Sequence, residues 1–256
     1  MNPNLIFSGK ITLFIGIIIF LILGILNFKD KRGLIWISSG LSLVFFLFFF
    51  GSRAFLKEFF PFTDKIESFA TLSFMIGFLS LIYRKRLSKK EFIVLMLLGM
   101  LSGLSVFIFD DHPKFPTPYL RTIWYPLHVP ISFLSYAFWF LAAVCSSSIY
   151  CFKKDLTALK QNRFIVTELN RHGFNAFTLS MVFGGIWGYF AWGAYFLWDP
   201  KLIWSIILWF YYGNLLHIDN LPSFRKWREP MYLFGIVLVL ITFIGTGFFS
   251  RSIHKF

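Results

Sequence analysis

The chain has 256 residues, of which 57% are hydrophobic, 22% aromatic and only 14% charged. A soluble domain carries about 25% charged residues, so this balance excludes an ordinary soluble enzyme and points to a membrane protein. The formal charge of +13 is spread over short segments between apolar runs; such basic residues set membrane topology and form no nucleic-acid groove.

In chain order, the apolar runs predict about eight membrane spans, near 11–28, 33–52, 68–83, 92–109, 125–150, 173–190, 201–218 and 230–249. Each approaches or exceeds the roughly 17–25 residues that cross a hydrocarbon core. The expected fold is all-α, a polytopic transmembrane helical bundle forming a single integral membrane domain over 1–256. The first run is followed by Lys29, Lys31 and Arg32 without a small-residue cleavage site, which reads as a retained helix rather than a signal peptide. Residues 53–67, RAFLKEFFPFTDKIE, mix phenylalanine with charge and break at Pro61; they are expected to lie along the membrane surface.

When loops are assigned to alternate sides, the segments 29–33, 84–91, 153–171 and 219–229 hold 16 of the 25 lysines and arginines. The positive-inside rule makes that side cytoplasmic. Both termini and the loop around Trp198 then face outward. Cys145 and Cys151 are spaced C-S-S-S-I-Y-C, which fits no zinc or dithiol motif, and they are read as inert thiols.

The most distinctive stretch is Trp187 to His217, WGYFAWGAYFLWDPKLIWSIILWFYYGNLLH, with five of the nine tryptophans. Within it, Trp198-Asp199-Pro200-Lys201 predicts a break followed by a new helix. Proline suits the first helical position, and an aspartate just before it caps free N–H groups. His217 lies 16 residues beyond Lys201, or about 24 Å down that helix. An ionisable residue so deep is a functional candidate; the plain alternative is a neutral histidine bonded to Asn214 or Tyr211. The tryptophans likewise have a plain reading as an interfacial aromatic belt.

This stretch resembles the tryptophan-rich "WWD" segment of the CcsA/ResC family of cytochrome c biogenesis proteins, heme-handling membrane proteins of cytochrome c assembly. The pattern W-A-x-x-A-W-G-x-Y-W-x-W-D-P-K-E, followed by W, W, Y and L-H, lies on residues 187–217 without a gap. Trp187, Trp192, Tyr195, Trp198, Asp199, Trp204 and His217 all match. Phe196 stands where the family has Trp, and Leu202 where it has Glu. A second match covers Trp124, His128, Val129 and Leu134-Ser135-Tyr136-Ala137. A third point is His254, after the last span, in S-I-H-K-F rather than the family's G-L-H-S-Y.

The resemblance implies that His128 and His254 are external ligands of heme iron and that His217 ligates heme within the membrane. The cofactor, carried as a substrate, would be heme b, held against Trp187, Trp192, Tyr195, Trp198, Asp199 and Trp204. No second histidine sits at the depth of His217, so another chain would supply the opposite ligand. That agrees with a CcsB/ResB-like membrane partner. The implied role is a heme-delivery subunit of the system II cytochrome c synthase (heme lyase), in a bacterial inner membrane or thylakoid. It would act on apocytochrome c bearing C-x-x-C-H, with thiol-reducing proteins supplied by other chains. The alternatives are a HemX-like protein of heme homeostasis or a CcmC-type heme-export subunit, neither with attachment activity.

Overall fold

A computed structural model describes residues 3–29, 32–109, 112–151 and 156–245. Among these there is no strand, and eight α-helices follow in order: α1 (Pro3–Phe28), α2 (Arg32–Lys57), α3 (Lys65–Ile82), α4 (Lys89–Gly103), α5 (Trp124–Cys151), α6 (Leu156–Trp192), α7 (Pro200–Leu216) and α8 (Arg228–Leu240). A π-helical turn, Ile241–Gly245, continues α8. The all-helical, polytopic expectation holds. Among the described residues, five segments are long and apolar enough to cross a membrane: Asn4–Asn27, Gly33–Lys57, Lys65–Ile82, Trp124–Cys151 and Arg225–Gly245. Helices α4 and α7 have 15 and 17 residues, at the short edge of the spanning range.

Large side chains such as Trp36, Ile37, Val44 and Leu47 on α2 are exposed. Water would penalise such a surface, whereas lipid accommodates it. The chain is an integral membrane protein.

The described residues form two compact units, Met1–Pro126 and Leu127–Phe256, the boundary falling inside α5. In the first, α1 packs on α2 and α4, and α3 on α4. Leu13, Ile17, Phe20, Phe46 and Phe92 fill its core. Ser88 and Glu91 form a reciprocal capping box that starts α4, satisfying two of its orphan N–H groups.

Within the 53–67 segment Phe55 and Phe60 are exposed, but four charged residues turn inward. Arg53, Lys57, Asp64 and Glu67 are all buried. The Arg53 Nε is 2.8 Å from Glu67 Oε1, and its terminal nitrogen 2.7 Å from Asp64 Oδ2. Lys57 Nζ lies 2.6 Å from each of the same two carboxylates. Glu67 Oε2 also accepts from the backbone N–H groups of Thr63 and Asp64. Two cations and two anions thus cancel in a buried site, as buried charge requires. Glu58, at φ 51°, ends α2 in a left-handed turn, and Pro61 keeps the helix from resuming before α3, so the chain folds the anions back onto the cations.

In the second unit the core is aromatic. Trp139 stacks face to face on Tyr212, with centroids 3.8 Å apart and planes at 4°. The Trp139 indole donates to Asn170 Oδ1 at 3.2 Å, and Asn170 Nδ2 donates to the Tyr212 carbonyl at 3.2 Å. Gly173 permits this, because a Cβ there would stand 2.6 Å from the Trp139 indole nitrogen.

Helix α6 extends further than expected. Residues 156–171, expected within a loop, continue the helix, so α6 runs 37 residues. Leu, Ala, Lys, Gln, Arg and Glu are strong helix formers, and neither Gly nor Pro interrupts them before Gly173. Charge alone made this segment read as a loop. Arg163 on it is 2.8 Å from Glu229 of α8.

Candidate heme-handling site

The site residues enter from the ends of α5, α6 and α7. His128 lies on the second turn of α5. Its Nδ1 is 2.8 Å from the Ser180 carbonyl oxygen on α6, and 3.0 Å from the Ser180 hydroxyl. A carbonyl only accepts, so Nδ1 carries the proton and Nε2 carries the lone pair. Among the described residues Nε2 makes no hydrogen bond. Ser132 Oγ donates to the His128 carbonyl at 3.0 Å and also meets Ser180 Oγ.

The ring of His128 lies nearly parallel to Trp187, with planes at 12° and centroids 6.5 Å apart. Trp187 in turn meets the edge of Trp192 at 4.7 Å. These three predicted site residues are therefore brought together. Trp187 is only 4% exposed, which makes it the wall behind the histidine.

Helix α6 stops after Trp192 because Gly193 adopts φ +74°, the left-handed conformation that glycine takes at a helix end. Its N–H bonds the Tyr189 carbonyl at 2.9 Å. The chain then turns back along the helix, stacking Tyr195 on Tyr189 at 4.7 Å and 15°. Trp198 projects at the tip, 86% exposed, in edge contact with Phe196. Asp199 is buried and accepts from the Lys201 N–H at 2.9 Å. It caps α7, as the sequence predicts.

Trp204 is half-buried on the first turns of α7 and makes no ring contact among the described residues. Trp209, five residues further, donates instead to Thr178 Oγ1 at 2.9 Å. His217 is the C-terminal cap residue of α7 and is exposed. The His217 backbone N–H donates to the Asn214 carbonyl at 3.0 Å, while the side chains of the two suggested partners turn elsewhere: Asn214 donates to the Phe210 carbonyl and Tyr211 to the Met231 carbonyl. His217 is not brought to His128. His254 lies outside the described residues.

Sequence reasoning missed Ser132, Ser180 and Gly184. Signals for them exist. Ser132 is four residues after His128 and so shares its helix face. Ser180, Gly184 and Gly188 form a small-xxx-small series, the pattern that lets membrane helices approach closely.

The family model described as "Cytochrome C assembly protein" matches residues 62–254, most of the chain. Among curated relatives, the chain is 26% identical to the cytochrome c biogenesis protein CcsA of Guillardia theta, over 98% of this chain and 95% of that one. It is 25% identical to CcsA of Heterosigma akashiwo, over 84% and 82% of the two chains. Similarity to protein NrfI of Wolinella succinogenes is 28% over 80% of this chain but only 24% of NrfI, so the chain spans about a quarter of that relative. With the matched segment running from the buried ionic cluster through the histidine and tryptophan site, this chain belongs to the cytochrome c assembly protein family.

Proposed function

We propose that the chain receives heme b within the membrane and presents it on the outer face for attachment to apocytochrome c. The observation that carries this reading is His128, with Nδ1 committed to the Ser180 carbonyl and Nε2 left to coordinate beside the Trp187 wall. A flat apolar macrocycle needs such a wall, and its iron needs a neutral imidazole nitrogen. Trp198 and Tyr195, exposed at the loop tip, offer further apolar surface, and their N–H and O–H groups suit the heme propionates. His254 is the second axial ligand in this reading, by its place after α8. His217, at the far end of α7 from Asp199, would hold heme earlier on its path, with the opposite ligand from a CcsB/ResB-like partner.

Attachment adds each S–H of the C-x-x-C-H peptide across a heme vinyl group, carbon taking the sulfur and its neighbour the hydrogen. This chain would contribute position: His128 and Trp187 would hold the macrocycle while the two thiols approach its vinyl groups. The thiols must arrive reduced, which other proteins would supply.

The test is the visible spectrum of the detergent-purified protein with its membrane partner. His128→Ala and His254→Ala should each weaken a bis-histidine Soret band, and added imidazole should restore it. His217→Ala should lower total heme without changing the ligation of what remains. Purification without heme alongside the partner would overturn the reading and leave the tryptophans as an interfacial belt.

A further inference from the structure

An imidazole binds iron through Nε2 only when the proton sits on Nδ1. In this chain Ser180 holds that proton, its carbonyl standing 2.8 Å from Nδ1 and its hydroxyl oxygen 3.0 Å. The ring can reach it because residue 184 has no side chain. A Cβ at Gly184 would stand 2.7 Å from His128 Nδ1 and 2.8 Å from Cε1, well inside van der Waals contact. Ser180 and Gly184 are one helical turn apart on α6 and so present one face. The Ser180 hydroxyl also reaches the His128 carbonyl, 3.1 Å away, and Ser132 closes the cluster from α5.

We propose that Ser180, through its backbone carbonyl, and Gly184, through its missing side chain, are positioning residues that fix His128 as an Nε2 iron donor. This rests on the reading of His128 as an iron ligand given above. Donation from Nδ1–H to a carbonyl also makes Nε2 more basic. It therefore favours ferric heme and lowers the midpoint potential of the bound heme.

The experiment uses the full chain with its partner and ferric heme b as the probe. His128→Gly opens the ligand position, which is refilled with imidazole, 4-methylimidazole or 1-methylimidazole. The last two are the same size, but only 4-methylimidazole keeps an N–H for the Ser180 carbonyl. The two N–H ligands should restore the six-coordinate spectrum at concentrations about tenfold or more below 1-methylimidazole, the usual scale of such outer partners. They should also give the lower midpoint potential.

In the otherwise native chain, Gly184→Ala should weaken the six-coordinate band. Gly185→Ala should not, since the nearest atom to its Cβ is 3.5 Å away. Equal rescue by all three ligands at one potential overturns the positioning role and leaves His128 a ligand. An unchanged spectrum in His128→Gly overturns the ligand reading itself. Should His128→Gly fail to accumulate, a Gly184→Ala protein with native spectrum and potential overturns the proposal.

Discussion

Replacing Lys57 with methionine tests the buried ionic cluster directly. Lys57 is fully buried and stands 2.6 Å from both Asp64 and Glu67, and its ammonium also donates to Thr63 Oγ1 at 2.7 Å. Methionine fills similar volume without charge. Asp64 and Glu67 are then left with Arg53 alone, so the site carries one uncompensated negative charge. Breaking a buried pair in this way costs about 3–5 kcal/mol. At roughly 2–4 °C per kcal/mol for a chain of this size, the midpoint of thermal unfolding falls by about 6–20 °C. Adding Asp64→Asn restores neutrality, because Arg53 then faces Glu67 alone, and the double variant should recover most of the loss. The assay is thermal unfolding in detergent, followed by tryptophan fluorescence. A Lys57→Met protein as stable as wild type, or a double variant that loses the sum of both single changes, would refute the charge-balance argument.

Other consequences follow from the second unit. The Tyr212 hydroxyl is buried with no hydrogen-bond partner among the described residues, so Tyr212→Phe should be neutral or stabilising by about 1–3 kcal/mol, read as an unchanged or raised unfolding midpoint. Asn170→Leu deprives the Trp139 indole of its acceptor and should cost about 1–3 kcal/mol by the same assay. Asp199→Ala removes the α7 cap and should cost about 0.5–2 kcal/mol, whereas Asp199→Asn should cost little. Gly193→Ala meets the φ of +74° and should cost about 1–2 kcal/mol; a native midpoint would mean that the turn relaxes.

What could be read in the sequence was whatever has a local signature. The break at Asp199-Pro200 and the helix that follows are stereochemical facts of adjacent residues, and both appear where expected. The joining of His128, Trp187 and Trp192 was anticipated only through the family pattern, since nothing in 128 or 187 alone fixes their separation. Arg53 and Lys57 read as surface charge because their partners, Asp64 and Glu67, come from beyond a proline break, and pairing across a turn leaves no periodic trace. The first half of α6 was mistaken because hydropathy detects lipid contact, not helicity. Ser180 and Gly184 were overlooked because small residues announce close approach without naming what approaches.

Trp198 stands almost wholly in the open, yet its backbone is not free to wander. The Asp199 N–H is bound to the Leu197 carbonyl at 2.8 Å, the Ile203 N–H to the Asp199 carbonyl at 3.0 Å, and the Lys201 N–H to the Asp199 side chain. Ordering a loose loop residue for binding costs about 1–2 kcal/mol of conformational entropy for its backbone. Here folding has already met that cost. A flat molecule settling on this indole restricts only the side-chain rotors, at about 0.5–1.5 kcal/mol, so a larger share of the stacking energy remains as affinity.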